Sequence, residues 1–333
     1  MEKVVNWAFA GTGGITNAFI SGLKAVEGVK FAAVYSRTRN NGSDFAARHG
    51  CRHGTPKVYT SYGDLLADPG IDVIYIGTPH PVHRELTLGA LKAGKAVLCE
   101  KPVTINAAEL RELIACAHEN KVFFMEAMWN RYTPPLVKVR EWLSCGLIGE
   151  VRAVQANFGF NAPWNPAGRL LKRELGGGAL LDAGVYPISF ASMAFGGVKP
   201  LKVSSALVLG ETGVDELVSA VLSYPQGRQA VVGSSLCVNM QNDGWIYGTQ
   251  GYIHVPDVVF AHGAKLHVQG KYDYCFEGEY LANGYNYEAE EVNRCLREGK
   301  TESGIMPLSE SLTAMEIMDE IRAQGNFTYP GER

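Results

Sequence analysis

At 333 residues, 46% hydrophobic and 20% charged, the chain has the composition of a globular protein large enough for two domains. A formal net charge of −3 without long basic runs argues against nucleic acid or anionic membrane as a main partner, and no apolar stretch approaches the roughly 18 residues that span a bilayer. Seven scattered cysteines read as reduced thiols, and the strand pattern that starts at Val4 is expected to leave no room for a signal peptide, so a cytoplasmic location is expected.

The first third alternates short apolar runs with helical periodicity, the pattern of parallel α/β units. Strands are expected over Val4–Ala10, Lys30–Tyr35, Val73–Ile76, Ala96–Cys99 and Val122–Ala127. Between them Ala18–Ala25, Ser43–His49, Tyr62–Ala67, Val82–Ala93 and Ala107–Glu119 carry apolar residues at helical spacing. Strands rich in β-branched residues with helices on either side must be buried on both faces, which predicts a doubly wound Rossmann sheet. After about Gly149, longer strands follow one another over Val151–Phe160, Val203–Leu209, Glu216–Tyr224, Gln229–Val238 and Gly251–Val255. They predict an α+β domain with a largely antiparallel sheet, interrupted by helices over Gly184–Phe195 and Asn286–Glu298. A last amphipathic helix, Ser309–Gln324, is expected to pack back on the first domain. The expected division is a dinucleotide domain over 1–127, a substrate domain over 128–307 and the closing helix over 308–333.

Gly11-Thr12-Gly13-Gly14-Ile15-Thr16 stands between the first strand and the first helix, the setting of a dinucleotide loop. The first glycine permits the tight turn, the second lets backbone approach a pyrophosphate, and the helix N-terminus offers free N–H groups. Thr16 occupies the third position, usually Gly or Ala. After the second strand, Ser36-Arg37-Thr38-Arg39 holds no carboxylate for a ribose 2′-hydroxyl. A hydroxyl and a guanidinium suit a 2′-phosphate, so NADP is expected over NAD.

Gly77-Thr78-Pro79-His80-Pro81-Val82-His83 follows the Val73–Ile76 strand, where backbone can line a nicotinamide ribose. His80 is a candidate contact there, and His83 reads as a structural hydrogen-bonding residue. Glu100-Lys101-Pro102 closes the next apolar run and puts a lysine at a strand's carboxyl end, where ligands of open parallel sheets bind. Further on, Gly176-Gly177-Gly178 precedes Asp182 and Tyr186, four apart and so on one helical face. The glycines are expected to bring backbone close to a ligand. Hydride transfer at an alcohol carbon needs a proton moved at its oxygen. Free tyrosine, with a pKa of about 10, is a poor base, and a nearby ammonium favours its phenolate. Lys101 beside Tyr186, with Asp182 orienting, is a chemically sufficient set that needs no metal.

Taken together, the loop at Gly11, Glu100-Lys101-Pro102 and the Gly-Gly-Gly…Asp-x-x-x-Tyr run resemble the glucose–fructose oxidoreductase/inositol dehydrogenase (Gfo/Idh/MocA) family over essentially the whole chain. Val97–Pro102, Met125–Arg131 and Gly177–Asp182 look most like its dimeric dihydrodiol dehydrogenase and NADP-dependent D-xylose dehydrogenase branch. The resemblance implies a Rossmann domain holding the nucleotide through Gly11, Thr12, Gly13, Gly14, Ile15, Ser36, Arg37, Thr78, His80, His83, Glu100 and Lys101. It implies a second domain whose open sheet serves homodimerisation, and Lys101 and Tyr186 as catalytic residues. Many members carry His where this chain has Tyr186.

Trp129, Arg131, Phe158, Phe160 and Trp164 are candidates for the substrate wall, with Asp182 and Tyr186. The segments Pro256–His262 and Tyr280–Tyr287 do not match the aromatic wall expected for an arene dihydrodiol, which favours a sugar-like substrate. The expected function is an NADP-dependent oxidoreductase passing hydride between nicotinamide and the CH–OH or C=O group of a sugar, polyol or diol. Two alternatives stand beside it. An NAD-dependent glycosidase working by transient oxidation is opposed by the Arg37 loop without a carboxylate. A non-catalytic NADP-binding sensor is opposed by Lys101, Asp182 and Tyr186 occurring together.

Overall fold

The computed structural model describes residues 4–50 and 54–332, and in them the apolar runs of the first third become a six-stranded parallel sheet. Its elements are β1 (Val5–Ala10), α1 (Gly14–Leu23), β2 (Val29–Tyr35), α2 (Arg39–His49), β3 (Lys57–Tyr59), α3 (Tyr62–Leu66), β4 (Val73–Ile76), α4 (His80–Lys92), β5 (Ala96–Glu100), α5 (Ala107–Asn120) and β6 (Phe124–Ala127). The strand order is β3-β2-β1-β4-β5-β6. All four residues of β4 and all five of β5 are buried, as central strands covered on both faces require. The order reverses between β1 and β4, and the crevice outside the carboxyl ends of those two strands is where such sheets take ligands. β3 escapes the sequence pattern because it is only three residues long. α1 starts four residues before its expected start, since Gly14 already belongs to its first turn.

The remaining elements are α6 (Pro134–Ser144), β7 (Val151–Gly159), α7 (Val185–Ala194), β8 (Lys202–Leu209), β9 (Asp215–Ser223), β10 (Gln229–Ser235), β11 (Gly244–Gly248), β12 (Gly251–Val255), β13 (Gly263–Val268), β14 (Tyr272–Glu277), α8 (Tyr285–Arg297) and α9 (Leu308–Gln324). The eight strands form one sheet in the order β14-β13-β12-β11-β7-β10-β9-β8. Every neighbouring pair is antiparallel except β7 with β10. Along β7 the inward positions Val154, Ala156 and Phe158 alternate with outward ones, so one face of the sheet makes the core. α7 is buried at all ten positions. β11, β13 and β14 were not among the expected strands, although β13 alternates buried Ala264, Leu266 and Val268 with Lys265 and His267.

The chain divides into two compact units, but not at the expected boundaries. The first contains residues up to Thr104, Ala108–Trp129 and also Leu281–Leu308. The return of α8 to this unit has a local cause. Gly22 has no side chain, and a Cβ there would stand 2.4 Å from Asn283 Oδ1. In addition, the buried Trp7 indole N–H donates to Asn293 Oδ1 at 3.1 Å. The second unit holds Ile105–Ala107, Asn130–Tyr280 and everything from Ser309 on. α9 therefore lies with the second unit and not with the first, contrary to the sequence expectation. Its polar positions explain this: Glu310 Oε2 accepts from Arg131 at 2.8 Å, Asp319 Oδ2 accepts the Ala107 N–H at 2.8 Å, and Gln324 Oε1 accepts the Ser205 N–H at 2.9 Å. Among the described residues no helix is long and apolar enough to cross a membrane, and no cluster of potential metal ligands occurs.

Candidate active site

Gly11 leaves β1 with φ +104°, and its N–H donates to Tyr35 O at 3.1 Å. A Cβ at Gly11 would stand 2.7 Å from Gly77 O, so only glycine permits this approach of two backbones at the β1/β4 switch. Gly13 caps α1 without a side-chain acceptor, which leaves the first N–H groups of the helix for an anion. Space around Gly13 and Gly14 is open to 4 Å. Thr16, the departure from the usual fingerprint, is fully buried and donates from Oγ1 to Gly77 O at 3.3 Å. Its hydroxyl ties α1 to the end of β4 where Gly or Ala would only pack. Beside this cradle the buried Thr78 hydroxyl has no protein partner. An orphan hydroxyl, a glycine turn and an uncapped helix fit a dinucleotide.

Past β2, Ser36 is buried and its N–H donates to Tyr59 O at 3.1 Å. Thr38 Oγ1 accepts the Asn41 N–H and caps α2. Arg37 and Arg39 are exposed, and among the described residues neither makes a hydrogen bond or ion pair.

At the ends of β4 and β5, His83 is completely buried, with Nδ1 at 2.9 Å from Pro102 O and Nε2 at 2.7 Å from Thr78 O. Burial draws its pKa below the usual histidine value, and the two carbonyls oppose that shift. Set between the two carbonyls, with its one N–H donated to one of them, it bridges two loops, the structural role read from the sequence. His80 packs edge-on against it at 5.7 Å. Glu100 is buried, accepting the Tyr75 hydroxyl on Oε1 at 2.5 Å and the Lys101 N–H on Oε2 at 3.2 Å. Glu100 thus fixes the backbone from which the partly exposed Lys101 springs.

In the second unit, Asp182 lies in a π-helical turn, Leu180–Gly184, that runs directly into α7, and Tyr186 is the second residue of α7. π turns inside helices recur at functional sites. Asp182 Oδ1 accepts from Arg169 Nη1 at 2.8 Å, a partner the sequence reading missed. Tyr186 is buried, its ring edge-on to Phe158 at 5.6 Å. Phe158 also meets Phe160 at 5.9 Å and Phe260 at 6.3 Å. Phe260 comes from the segment in which no aromatic wall was expected, and half of its surface is exposed.

One expectation changes here. The glycine triplet does not open the backbone to a ligand. A Cβ at Gly177 would meet Leu170 O at 2.6 Å, and one at Gly178 would meet Asp215 Oδ1 at 2.2 Å, so the protein itself fills that space. Arg131 is buried, donating to Ser189 Oγ at 2.9 Å, Ser189 O at 2.7 Å and Glu310 at 2.8 Å, and it anchors α7. Trp129, in the first unit, is buried and packs on Tyr285 with ring centroids 5.0 Å apart.

Comparison with known proteins agrees with this architecture. Residues 5–128 match the model of an oxidoreductase family with an NAD-binding Rossmann fold, and residues 136–254 match the GFO/IDH/MocA C-terminal domain. Trans-1,2-dihydrobenzene-1,2-diol dehydrogenase of Xenopus laevis is 41% identical over 97% of this chain and 99% of its own length. A crystal structure of a 3-ketoreductase from Actinomadura kijaniata with NADP matches the fold at TM-score 0.82 and 23% identity, covering 96% of this chain and 97% of that one. A levoglucosan dehydrogenase in complex with NADH matches at TM-score 0.87 and 18% identity, covering 97% of each.

Asp215 was not among the sequence candidates and yields a test. Burial raises its pKa from 3.8 to about 6, against the opposing pull of the Leu180 N–H. The folded state therefore holds the proton more tightly than the unfolded chain, and this contribution to stability, full below the unfolded pKa, is lost as pH rises through about 6. Asparagine does not titrate. Urea unfolding should show Asp215→Asn gaining roughly 2 kcal/mol on the wild type between about pH 4.5 and about pH 7.5. A gap that stays flat across that range would refute the assignment.

Proposed function

The chain belongs to the Gfo/Idh/MocA oxidoreductase family, and from that footing we propose an NADP-dependent dehydrogenase or reductase acting on a cyclic vicinal diol. The observation that carries the reading is Tyr186, a buried phenol on a wholly buried helix, standing at a cluster of three phenylalanines. Bound nicotinamide would supply the carbon that accepts or gives the hydride. The chain's own residues do the rest. Tyr186 exchanges the proton at the substrate oxygen. The Lys101 ammonium stabilises negative charge on that oxygen. Asp182, held by Arg169, orients a hydroxyl group of the substrate.

The nucleotide is argued from Arg37. An exposed guanidinium without a partner among the described residues, beyond a strand end that offers no carboxylate, suits a 2′-phosphate and gives an NAD ribose nothing to accept from it. The aromatic cluster shifts the substrate argument from an open-chain sugar toward a ring with an apolar face. The likeness to trans-1,2-dihydrobenzene-1,2-diol dehydrogenases supports a diol on an unsaturated ring, with pyranoses second.

We also infer that a second copy covers the outer face of the eight-stranded sheet. Trp245, Tyr247, Tyr252, His254 and His267 stack there on strands β11 to β13, with Val221 and Val231 exposed on β9 and β10. Aromatic and aliphatic side chains grouped on one sheet face are the kind of surface that a protein partner covers. Light scattering should return a dimer that Trp245→Arg converts to monomer; a monomeric wild type would sink the inference.

Two further outcomes are expected. Tyr186→Phe should lower kcat for trans-1,2-dihydrobenzene-1,2-diol about 100-fold or more while NADPH binding is unchanged. Full activity in that variant would remove Tyr186 from the mechanism. In a fluorescence titration Arg37→Ala should weaken NADPH by about tenfold and leave NADH unaffected. Equal losses for both nucleotides would count against the 2′-phosphate contact.

A further inference from the structure

The helix that carries Asp182 and Tyr186 begins without a cap of its own, because Ala179 has no side-chain acceptor. The acceptor comes from another element. Asp215, the first residue of β9, takes the Leu180 N–H on Oδ2 at 2.6 Å. Its carboxylate also lies at the positive end of the helix dipole. Asp215 is fully buried, and its second oxygen, Oδ1, has no hydrogen-bond partner.

The space Asp215 occupies is made by two neighbours. Gly178 lacks the side chain that would collide with Oδ1, and Tyr329 Oη lies 3.2 Å from the same Cβ position. The Tyr329 hydroxyl donates to Gly177 O at 2.8 Å. Tyr329 belongs to the last residues of the chain, and these are pinned from several sides. The buried Arg322 lies 5.1 Å over its ring and donates to Glu332 Oε2 at 2.6 Å, which in turn accepts the Tyr329 N–H at 2.6 Å. Arg173, just before the glycine triplet, donates to Thr328 O at 3.0 Å and lies 5.4 Å over Phe327. The C-terminal segment and the glycine triplet are one interlocked piece.

We propose that Asp215 and Tyr329 are positioning residues for the reaction, clamping the backbone from Gly177 to Leu180 and thereby setting where the helix presents Tyr186. The segment Phe327–Glu332 is then part of the catalytic apparatus. This rests on Tyr186 being the proton-exchanging group. The physical basis is that displacement of a reacting group by about 1 Å can cost two orders of magnitude in rate. A carboxylate left ionised in a buried pocket also disfavours folding, and a purely structural cap would be better served by a neutral side chain.

The test compares Tyr329→Phe, Asp215→Asn and Tyr186→Phe with the wild type, using trans-1,2-dihydrobenzene-1,2-diol and NADP. Tyr329→Phe removes one hydroxyl and keeps the ring. It is expected to lower kcat about tenfold with KM for NADP unchanged and melting within a few degrees of the wild type. Asp215→Asn is expected to lower kcat at least as far even though it unfolds at higher urea near neutral pH. Higher stability with lower turnover is a signature that loss of a structural contact does not produce. Wild-type kcat in both clamp variants, with Tyr186→Phe inactive, overturns the clamp and leaves the function standing. Full activity of Tyr186→Phe overturns the functional reading and the clamp together. A kcat loss that comes with equally weakened NADP binding or collapsed melting is general damage and also overturns the clamp. Should Asp215→Asn fail to fold, Tyr329→Phe decides by the same criteria.

Discussion

The close approach of Gly11 to Gly77 is the constraint on which the first unit turns. Two strand ends, β1 and β4, meet where the strand order reverses, and a single Cβ at Gly11 would push their backbones apart. Thr16 closes the contact with a hydroxyl aimed at Gly77 O, and a side chain at Gly77 would displace that hydroxyl. The uncapped start of α1, the orphan Thr78 hydroxyl and the loop that His83 bridges to Pro102 are all placed by this junction. A nucleotide site at that edge of the sheet follows from backbone geometry before any side chain is chosen for chemistry.

Glycine is used in the opposite sense in the second unit. At Gly11 the missing side chain brings backbone to backbone beside an open anion site. At Gly178 it admits a carboxylate from β9, and the resulting pocket is closed to solvent. The two glycine-rich runs look alike in sequence because both need the same absence of Cβ. They differ in what enters the space, and that depends on Gly77 in one case and Asp215 in the other, both distant in sequence.

This difference marks where the sequence was legible. β4 and β5 could be placed almost to the residue, since a strand buried on both faces must be apolar throughout. The glycine loop, Lys101 at a strand end and the Asp182–Tyr186 spacing were legible because each is local. Asp215 was not: a single acid at the head of a strand has no periodicity to betray that it caps a helix. The contacts of Arg169 and Arg131 were hidden for the same reason, being made with partners at Asp182, Ser189 and Glu310. The exchange of Leu281–Leu308 and the closing helix between units was equally hidden, because amphipathic faces show that a helix packs and not what it packs on. Polar contacts such as Trp7 with Asn293 make that choice.

The second unit therefore reaches rigidity by an expensive route. α7 is buried on every side and would slide or rotate at little cost if dispersion alone held it. Charged groups that are costly to bury remove that freedom: Arg131 grips its middle through Ser189, and Asp215 fixes its start through Leu180. Each works only if its partners are met, so a small shift of the helix would leave a buried charge unpaired and is strongly resisted. A helix buried at every position gives the Tyr186 phenol dry surroundings. The buried charges supply the register, and neither alone would hold Tyr186 at one place.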